Sequence, residues 1–404
     1  MSRSTALVLA LFTCLTLSTA SAVASTPRSS WQAILSEAQG QNVAFNAWGG
    51  SPAINAFIGW VADEVDRRFG ISLEHVKLAD ASDAVARIVA ERAAGRTDDG
   101  SVDLLWLNGE NFATLRHQDL LHGPFAFDLP NFALVDTVGK PTTLVDFTVP
   151  TEGYESPWGM AQLVLLHDTR AVPVPPRSLA ELGAWIEANP GRFTYPAPPD
   201  FIGTTWLKQV LLDSVVDPAV LQRPADTADV AAVTAPLWAW LDRVTPHLWR
   251  RGRSYPSDGQ ALHQLLDDGE LAISMSFNPG EASQLIAAGR LPETVRTATF
   301  DDGTLANTHF VAIPFNSDAT AAAKVVADFL LSPEAQARKQ DPRIWGDPTV
   351  LDLDALTPVQ RAAFTALPLG VATLPPDRLG PARPEPHPSW VEIIERAWQE
   401  RVQG

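Results

Sequence analysis

Asn42-Val-Ala-Phe-Asn-Ala-Trp48-Gly49-Gly50-Ser51-Pro52 is the stretch that decides the fold. It predicts a short strand, a glycine turn and a helix start, because Ser51 suits an N-cap and Pro52 suits the first helical position. Apolar residues then recur at helical spacing from Ile54 to Val65, and Gly70 ends the run. Backbone N–H groups at such a helix start are free to receive a polar group of a ligand. The same residues also fit an ordinary strand-to-helix turn with a tryptophan in the core.

The order of strand, polar turn and helix recurs further along the chain. Residues 72–78 alternate like a strand, residues 82–95 have helical periodicity, and residues 102–107 are a continuous apolar strand. Such units predict a parallel sheet with right-handed crossovers. The third strand ends in Asn108-Gly109-Glu110-Asn111, and Asn111 is expected to cap a helix from Phe112 to Leu120. Ligands bind at the carboxyl ends of parallel strands, so this turn is a second candidate contact.

Two further polar turns lie in the second half of the chain. A proline-rich turn ends at Asp200 and leads into a helix that contains Thr204. The apolar strand 271–277 is followed by Asn278-Pro279-Gly280-Glu281 and another helical stretch. The sequence therefore predicts four polar strand-to-helix turns, two in each half.

The turns fall into two α/β lobes joined by crossovers. Helical patterning is lost between residues 137 and 150, and the strand that returns near Thr304–Thr308 provides a second crossover. We expect residues 25–155 together with 305–404 to form the first lobe and residues 156–304 to form the second. This division follows the length of chain that two domains of ordinary size require.

The first 24 residues have the features of an export signal. Arg3 precedes the apolar run Ala6–Leu17, and Ala22-Val-Ala24 has the small residues of a signal-peptidase site. No later stretch reaches about 18 uninterrupted apolar residues, so we expect no membrane insertion after the signal is removed. The only cysteine, Cys14, lies in a poor lipoprotein box. We expect a periplasmic protein without a lipid anchor, a disulfide or a thiol nucleophile.

The charge of the chain argues against nucleic acid and anionic membranes as partners. There are 30 Lys and Arg against 47 Asp and Glu, and the signal removes only Arg3. Such an acidic chain repels phosphate backbones and anionic lipid surfaces. It favours a cationic or neutral solute as the partner.

Three segments together resemble one family of transport proteins: Phe45–Ser51, Tyr195–Phe201 and Asn307–Pro314. They look like the YnjB-like periplasmic solute-binding proteins of ABC importers, which are related to the thiamine, polyamine and iron binders. The resemblance covers essentially the whole mature chain. It implies a type II periplasmic-binding-protein fold in which each lobe is a mixed, mostly parallel sheet flanked by helices and hinge crossovers join the lobes.

The same resemblance implies that a small-molecule solute is captured between the lobes, that the hinge closes, and that a membrane permease with its ATPase receives the solute. We expect a monomer with no cofactor or metal and no enzymatic activity. In the first lobe, Trp48 is the candidate stacking wall, and in the second Trp158 is its counterpart. The full set of candidate ligand contacts is Trp48, Gly50, Ser51, Asn108, Glu110, Asn111, Trp158, Asp200, Thr204, Asn278, Glu281 and Asn307.

The acidic candidates suit a cation such as a thiamine- or polyamine-like solute if Glu110, Asp200 and Glu281 all face the cleft. Each of them equally fits a helix N-cap or first-turn carboxylate. A secreted carbohydrate-active hydrolase with paired carboxylates is the enzymatic alternative, since such pairs need no fixed spacing. Known nucleophile, metal and phosphate-binding motifs are otherwise lacking in the sequence. A module that binds another protein is a third alternative, and it requires no enclosed polar cleft.

Overall fold

The computed structural model describes residues 30–375 and 378–403. The helices are α1 (Trp31–Ala38), α2 (Pro52–Phe69), α3 (Ser82–Ala93), α4 (Glu110–His117), α5 (Leu179–Ala188), α6 (Phe201–Ser214), α7 (Val230–Val244), α8 (Gly259–Asp267), α9 (Glu281–Ala287), α10 (Thr320–Leu330), α11 (Pro333–Gln340), α12 (Pro358–Thr365) and α13 (Ser389–Gln403). The strands are β1 (Asn42–Trp48), β2 (Ser72–Leu78), β3 (Leu104–Leu107), β4 (Val145–Asp146), β5 (Val149–Pro150), β6 (Glu155–Gln162), β7 (Val164–Asp168), β8 (Ile273–Ser276), β9 (Val295–Ala298), β10 (Thr304–Ala312) and β11 (Ala382–Arg383). The predicted signal, residues 1–24 with Cys14, lies outside the described residues.

The first strand, turn and helix form as the sequence predicts. The Ser51 hydroxyl accepts a hydrogen bond from the Ile54 N–H, and Pro52 occupies the first turn of α2. Gly70 ends α2 with a positive φ of 65°, a conformation that glycine adopts without steric cost. The buried residues of α2 lie along one face, and its apolar side packs on the first sheet.

The first sheet is mixed and has a hydrophobic core on each face. The strand β1 lies between β2 and β3 and is parallel to both. The strand β10 is antiparallel to β3 on one side and to β6 on the other. One core contains α2 and α10 residues, and the smaller core on the other face contains residues of α3 and α4. The carboxyl ends of β1, β2 and β3 therefore meet at one edge, as expected for parallel strands.

A second sheet is antiparallel, and β7 lies between β8 and β9. The predicted parallel character thus applies to β1–β3 and not to this sheet. Helices α5, α6 and α7 contribute a large share of the core around it. The final helix α13 also packs into this core through Trp390, Ile394 and Trp398. The structure therefore differs from our assignment of all of residues 305–404 to the first lobe.

The chain passes between the two lobes at Leu163, at the start of β10 and after α12. The strand β6 stays in the first sheet along its whole length, so the first crossover lies at Leu163, whereas the sequence placed the boundary at residue 156. The Leu163 N–H donates to the Leu305 carbonyl, which joins this crossover to the second one. After α12 the chain returns to the second lobe, where the Ala372 N–H donates to Ser283. Two adjacent hydrogen-bonded strands form the expected geometry of a hinge.

The two lobes touch closely beside the hinge. The Asn278 amide donates to the Trp345 carbonyl at 3.1 Å, and Gly280 lies against Gly346. A Cβ atom added to Gly280 would lie 2.5 Å from the Gly346 carbonyl oxygen. An alanine at position 280 would therefore require the two lobes to move apart at this contact.

Replacing Gly280 by alanine is expected to lower the free energy of unfolding by about 1–3 kcal/mol, the usual cost of overpacking. Gly59→Ala is the matched control, because a Cβ there meets no atom within 4 Å and Gly59 lies inside α2. The control should gain about 0.5–1 kcal/mol from helix propensity. Urea denaturation of both variants checks this. Equal effects of the two substitutions would contradict the close interlobe contact.

No helix in the described part of the chain is long and apolar enough to cross a membrane.

Candidate functional site

The candidate site lies where the carboxyl ends of β1, β2 and β3 face the second lobe. Trp48 ends β1 and is 37% exposed, with its indole lying over Gly50. Gly50 has no room for a Cβ because that atom would lie 2.4 Å from the indole ring. Trp48 pairs with Leu78 in the sheet, so Asp80 follows two residues later at the same edge. The indole face is therefore exposed beside an acidic residue, whereas the Ser51 hydroxyl is engaged as the N-cap.

The second polar turn holds Glu110 in the first turn of α4. The structure begins α4 at Glu110 with Gly109 as the N-cap residue, so the prediction that Asn111 caps this helix is wrong. Gly109 has a φ of 64°, and its N–H donates to Asp146 at 2.6 Å. Asn108 and Asn111 flank Glu110, and both are partly exposed at this turn. The N-terminus of α4 is thus held by the Asp146 carboxylate, and the Glu110 side chain remains available to a ligand.

In the second lobe, α6 presents its first two turns to the same region. The Asp200 carboxylate accepts the N–H groups of Ile202 and Gly203, so it is an N-cap. One turn later, the Thr204 hydroxyl donates to Glu395 of α13. Glu395 comes from the far end of the chain, and no local sequence pattern predicts that it lies here. An acid pair from α6 and α13 therefore faces the turn of Glu110.

Three predicted contacts are engaged in packing or hydrogen bonds within the protein. Trp158 is 0% exposed and packs edge-on against Trp106 in the first core, so it is a core residue of the first lobe rather than a wall of the second. The strand β6 directs the Trp158 side chain into the hydrophobic core of the first lobe. Asn278 uses its amide for the contact with Trp345 described above.

Glu281 is held inside the second lobe. Its carboxylate accepts from Ser276 and lies 3.3 Å from both His263 Nε2 and Gln260 Nε2. Burial alone would raise the pKa of Glu281, but His263, Ser276 and Gln260 together lower it. The residue has hydrogen-bond partners inside the second lobe, and its contribution to the pocket stays a prediction.

Asn307 of the hinge strand β10 begins a chain of polar contacts into the second lobe. Its amide donates to Glu385 Oε1 at 3.1 Å, and Glu385 Oε2 lies 2.7 Å from Lys208 Nζ of α6. The side chains of Lys208 and Glu385 are each 2% exposed. Asn307 Oδ1 is buried without a hydrogen-bond partner among the described atoms. This contact chain lies at the hinge end of the cleft.

Acidic side chains from both lobes influence one another electrostatically across the cleft. Burial raises the pKa of Glu110 from 4.5 to about 7, and the charges of Glu395 and Asp80 add to this effect. Burial likewise raises the pKa of Asp200 from 3.8 to about 6, with Asp258 and Asp80 contributing. The pKa of Glu395 is also raised, first by burial and then by the charge of Asp80. Carboxyl groups behave in this way where burial and like charges outweigh any nearby cation.

A buried acid pair lies behind Glu110. Burial raises the pKa values of Asp146 and Glu155 well above their ordinary values; the charges of Glu110 and Glu385 add to the effect on Asp146, and that of Asp146 adds to the effect on Glu155. Both Glu155 oxygens and Asp146 Oδ1 lack a hydrogen-bond partner in the described structure. Unpaired buried carboxyls are costly in this form, so the region is short of positive charge and of hydrogen-bond donors.

The pH dependence of stability tests the raised pKa of Glu110. Between its unfolded value of 4.5 and its folded value of about 7, the folded state binds more protons than the unfolded state. We therefore expect the solute-free protein to lose up to about 3 kcal/mol of stability as pH rises through this window. Urea denaturation at pH 5 and pH 8 measures the loss. Glu110→Gln should remove this pH-dependent loss of stability. An unchanged loss in that variant would contradict its assignment to the raised pKa of Glu110.

Four residues that sequence reasoning missed complete this site: Asp80, Lys208, Glu385 and Glu395. Lys208 was detectable in principle, because Asp200, Thr204 and Lys208 recur every four residues and so share one face of α6. The other three lie in loops or in α13, where no local pattern marks a ligand contact. Among the described residues, no group of three or more His, Cys, Asp and Glu could hold a metal ion.

Comparison with known proteins identifies the class. Residues 60–352 match the model of a family described as bacterial extracellular solute-binding protein. The chain therefore belongs to the family of bacterial extracellular solute-binding proteins. It is similar to Protein YnjB of Escherichia coli (strain K12), with 48% identity over 376 residues, 93% of this chain and 95% of that protein. The resemblance to YnjB-like solute-binding proteins is confirmed, and nothing in these matches supports the hydrolase alternative.

Solved structures share the fold at low sequence identity. The periplasmic binding protein AfuA from Actinobacillus pleuropneumoniae, with fructose-6-phosphate bound, matches with a TM-score of 0.62 and 12% identity over 90% of this chain and 99% of that one. The spermidine/putrescine ABC transporter substrate-binding protein PotD from Streptococcus pneumoniae matches with a TM-score of 0.58 and 14% identity over 89% and 99%. The predicted two-lobed type II binding-protein fold is thereby confirmed.

Proposed function

We propose that this protein binds a small cationic solute between its lobes and delivers it to the permease and ATPase of an ABC importer. One observation carries the choice of a cation. Asp80 and Glu110 of the first lobe and Asp200 and Glu395 of the second lobe act on one another electrostatically across the cleft. A positive charge placed among these four carboxylates would reduce the electrostatic repulsion between them.

The aromatic residues at the same place support this proposal. Trp48 exposes its indole beside Asp80, and Phe201, 39% exposed, begins α6 directly after Asp200. Aromatic faces attract cations, and the attraction is stronger where water is excluded. A carboxylate next to an aromatic ring is therefore a suitable contact for an ammonium or a positively charged heterocycle. Asn108 and Asn111 supply further polar groups at the turn of Glu110.

Closure follows from the same charges. The solute first binds one lobe, and its positive charge then attracts the carboxylates of the other lobe as the hinge at Leu163 and Leu305 bends. Exclusion of water strengthens each ionic contact in the closed cleft. In this proposal the protein is exported to the periplasm and acts as a monomer, and the closed form is what the permease recognises.

Thermal unfolding with a panel of solutes tests the proposal. Thiamine, linear amines, amino acids and neutral sugars are added singly at pH 8, and a cation at 100 times its Kd should stabilise the protein by about 2.7 kcal/mol. Neutral sugars are the control for unspecific effects. If a neutral sugar stabilises the protein and no cation does, the proposed solute class is wrong.

A further inference from the structure

Lys208 is a cation whose charge lowers the pKa of Glu110, and its surroundings are unusual. Its Nζ lies 2.7 Å from Glu385 Oε2, 4.4 Å from the centre of the Phe147 ring and 5.7 Å from that of Phe201. A carboxylate with two aromatic rings is the arrangement that recognises ammonium groups of ligands. The structure thus contains an ammonium-binding position that is occupied by a lysine of the protein itself.

The Phe147 ring reaches Lys208 from the other lobe at a cost in backbone energy. Phe147 and Thr148 form the two-residue turn between β4 and β5, and their φ values are 41° and 73°. Residues other than glycine rarely adopt such values, which are strained for a bulky side chain. The ring fits only because Gly109 has no Cβ, since that atom would lie 2.8 Å from the ring. Strain of this kind is concentrated at ligand contacts.

The register of α6 separates the backbone of Lys208 from the N-cap residue Asp200, although the Lys208 ammonium still acts on Glu110 and Glu395. Asp200 and Lys208 are eight residues apart on one helix face, which is about 12 Å along the axis. Asp200, Asp80 and Glu395 lie at the first end, and Glu385 and Asn307 of the hinge lie at the second. The cleft therefore has an acidic end, whose carboxylates are only partly offset by the charge of Lys208, and a hinge end where the Lys208 ammonium is paired with Glu385.

We propose that Lys208 sets the specificity of the cleft: its ammonium fills the hinge-end position, so the protein accepts a solute with one cationic end and rejects one with a cation at both ends. The opposite end of the solute is neutral, because the hinge-end position already holds the Lys208 ammonium. This inference rests on the proposed binding of a cation. A second ammonium would have to displace Lys208 from a site that is 2% exposed.

Two linear amines of equal length test the selectivity. 1,4-Diaminobutane carries two ammonium ends, whereas 4-aminobutan-1-ol replaces one of them by a hydroxyl. In calorimetric titrations at pH 8 the wild-type protein should bind the diamine at least tenfold more weakly than the amino alcohol. Lys208→Met should reverse this order. Lys324→Met, a half-buried lysine of α10 in the first lobe, should keep the wild-type ratio. A wild-type ratio near one, or no change of the ratio in Lys208→Met, would overturn the proposal.

A rescue experiment tests the ammonium position without any knowledge of the solute. Lys208→Ala leaves Glu385 buried without its cation, and propylammonium chloride should raise the melting temperature of this variant well above the rise given by equimolar sodium chloride. The wild type should show no such difference, and neither should Lys208→Ala combined with Glu385→Gln. Absence of rescue in Lys208→Ala would refute the ammonium position. Rescue without binding of either amine to the wild type would instead refute the proposed solute class.

Discussion

Replacing Glu110 by glutamine is expected to weaken binding of a cationic solute at pH 8 by about 30-fold or more, because loss of one member of a buried charge pair costs about 2–5 kcal/mol. Glu110 is the carboxyl at which charges of both lobes meet, since Lys208, Glu395 and Asp80 all act on it. The substitution keeps the size of the side chain and its place in the first turn of α4. The effect on binding should therefore not come from misfolding.

The same substitution is expected to stabilise the solute-free protein at pH 8. Glutamine carries no charge, so it avoids the burial cost that raises the pKa of Glu110 to about 7. Weaker binding together with a higher melting temperature is a combination that a damaged fold cannot give. Glu74→Gln, an exposed residue of β2, serves as the control and should change neither quantity. Titration calorimetry and thermal unfolding measure the two effects, and a fall in both would count against this role of Glu110.

Replacing Asp347 by asparagine is expected to cost about 3–5 kcal/mol of stability, because it leaves a buried ammonium without its counter-charge. Lys339 is 0% exposed, and its Nζ bonds the Asp347 carboxylate and the carbonyl of Pro348. The other carboxylate oxygen of Asp347 lies 3.0 Å from His309 Nε2 on the hinge strand. This cluster holds the segment whose Trp345 and Gly346 backbone contacts the second lobe.

A double variant separates charge from packing. Lys339→Met combined with Asp347→Asn removes the unpaired ammonium, so it should be less destabilised than Asp347→Asn alone. Asp354→Asn is the matched control, because its ion pair with Arg361 is exposed and such pairs contribute about 1 kcal/mol or less. Denaturation in urea gives all three values. Equal losses in the single and double variants would show that the charge of Lys339 is not the cause.

Local patterns in the sequence were sufficient for much of the first lobe. The cap at Ser51, the proline after it and the stop at Gly70 are found where they were predicted, because helix ends depend on a few neighbouring residues. The burial of Trp158 was not predictable in the same way. The local sequence around a tryptophan next to a glycine is the same whether its strand faces a cleft or a core. The pairing of β6 with β10 decides between the two.

The sequence by itself determined the family, the two α/β lobes, the first polar turn and half of the acidic site, namely Glu110 and Asp200. The tertiary structure alone decided which carboxylates meet, that Glu281 is used internally, and that Lys208 fills the hinge end of the cleft. The physical reason is separation along the chain. Thr204 and Glu395 are 191 residues apart, and their contact depends on α13 packing into the second core. Periodicity reports which face of a helix is buried, but only packing determines what that face meets.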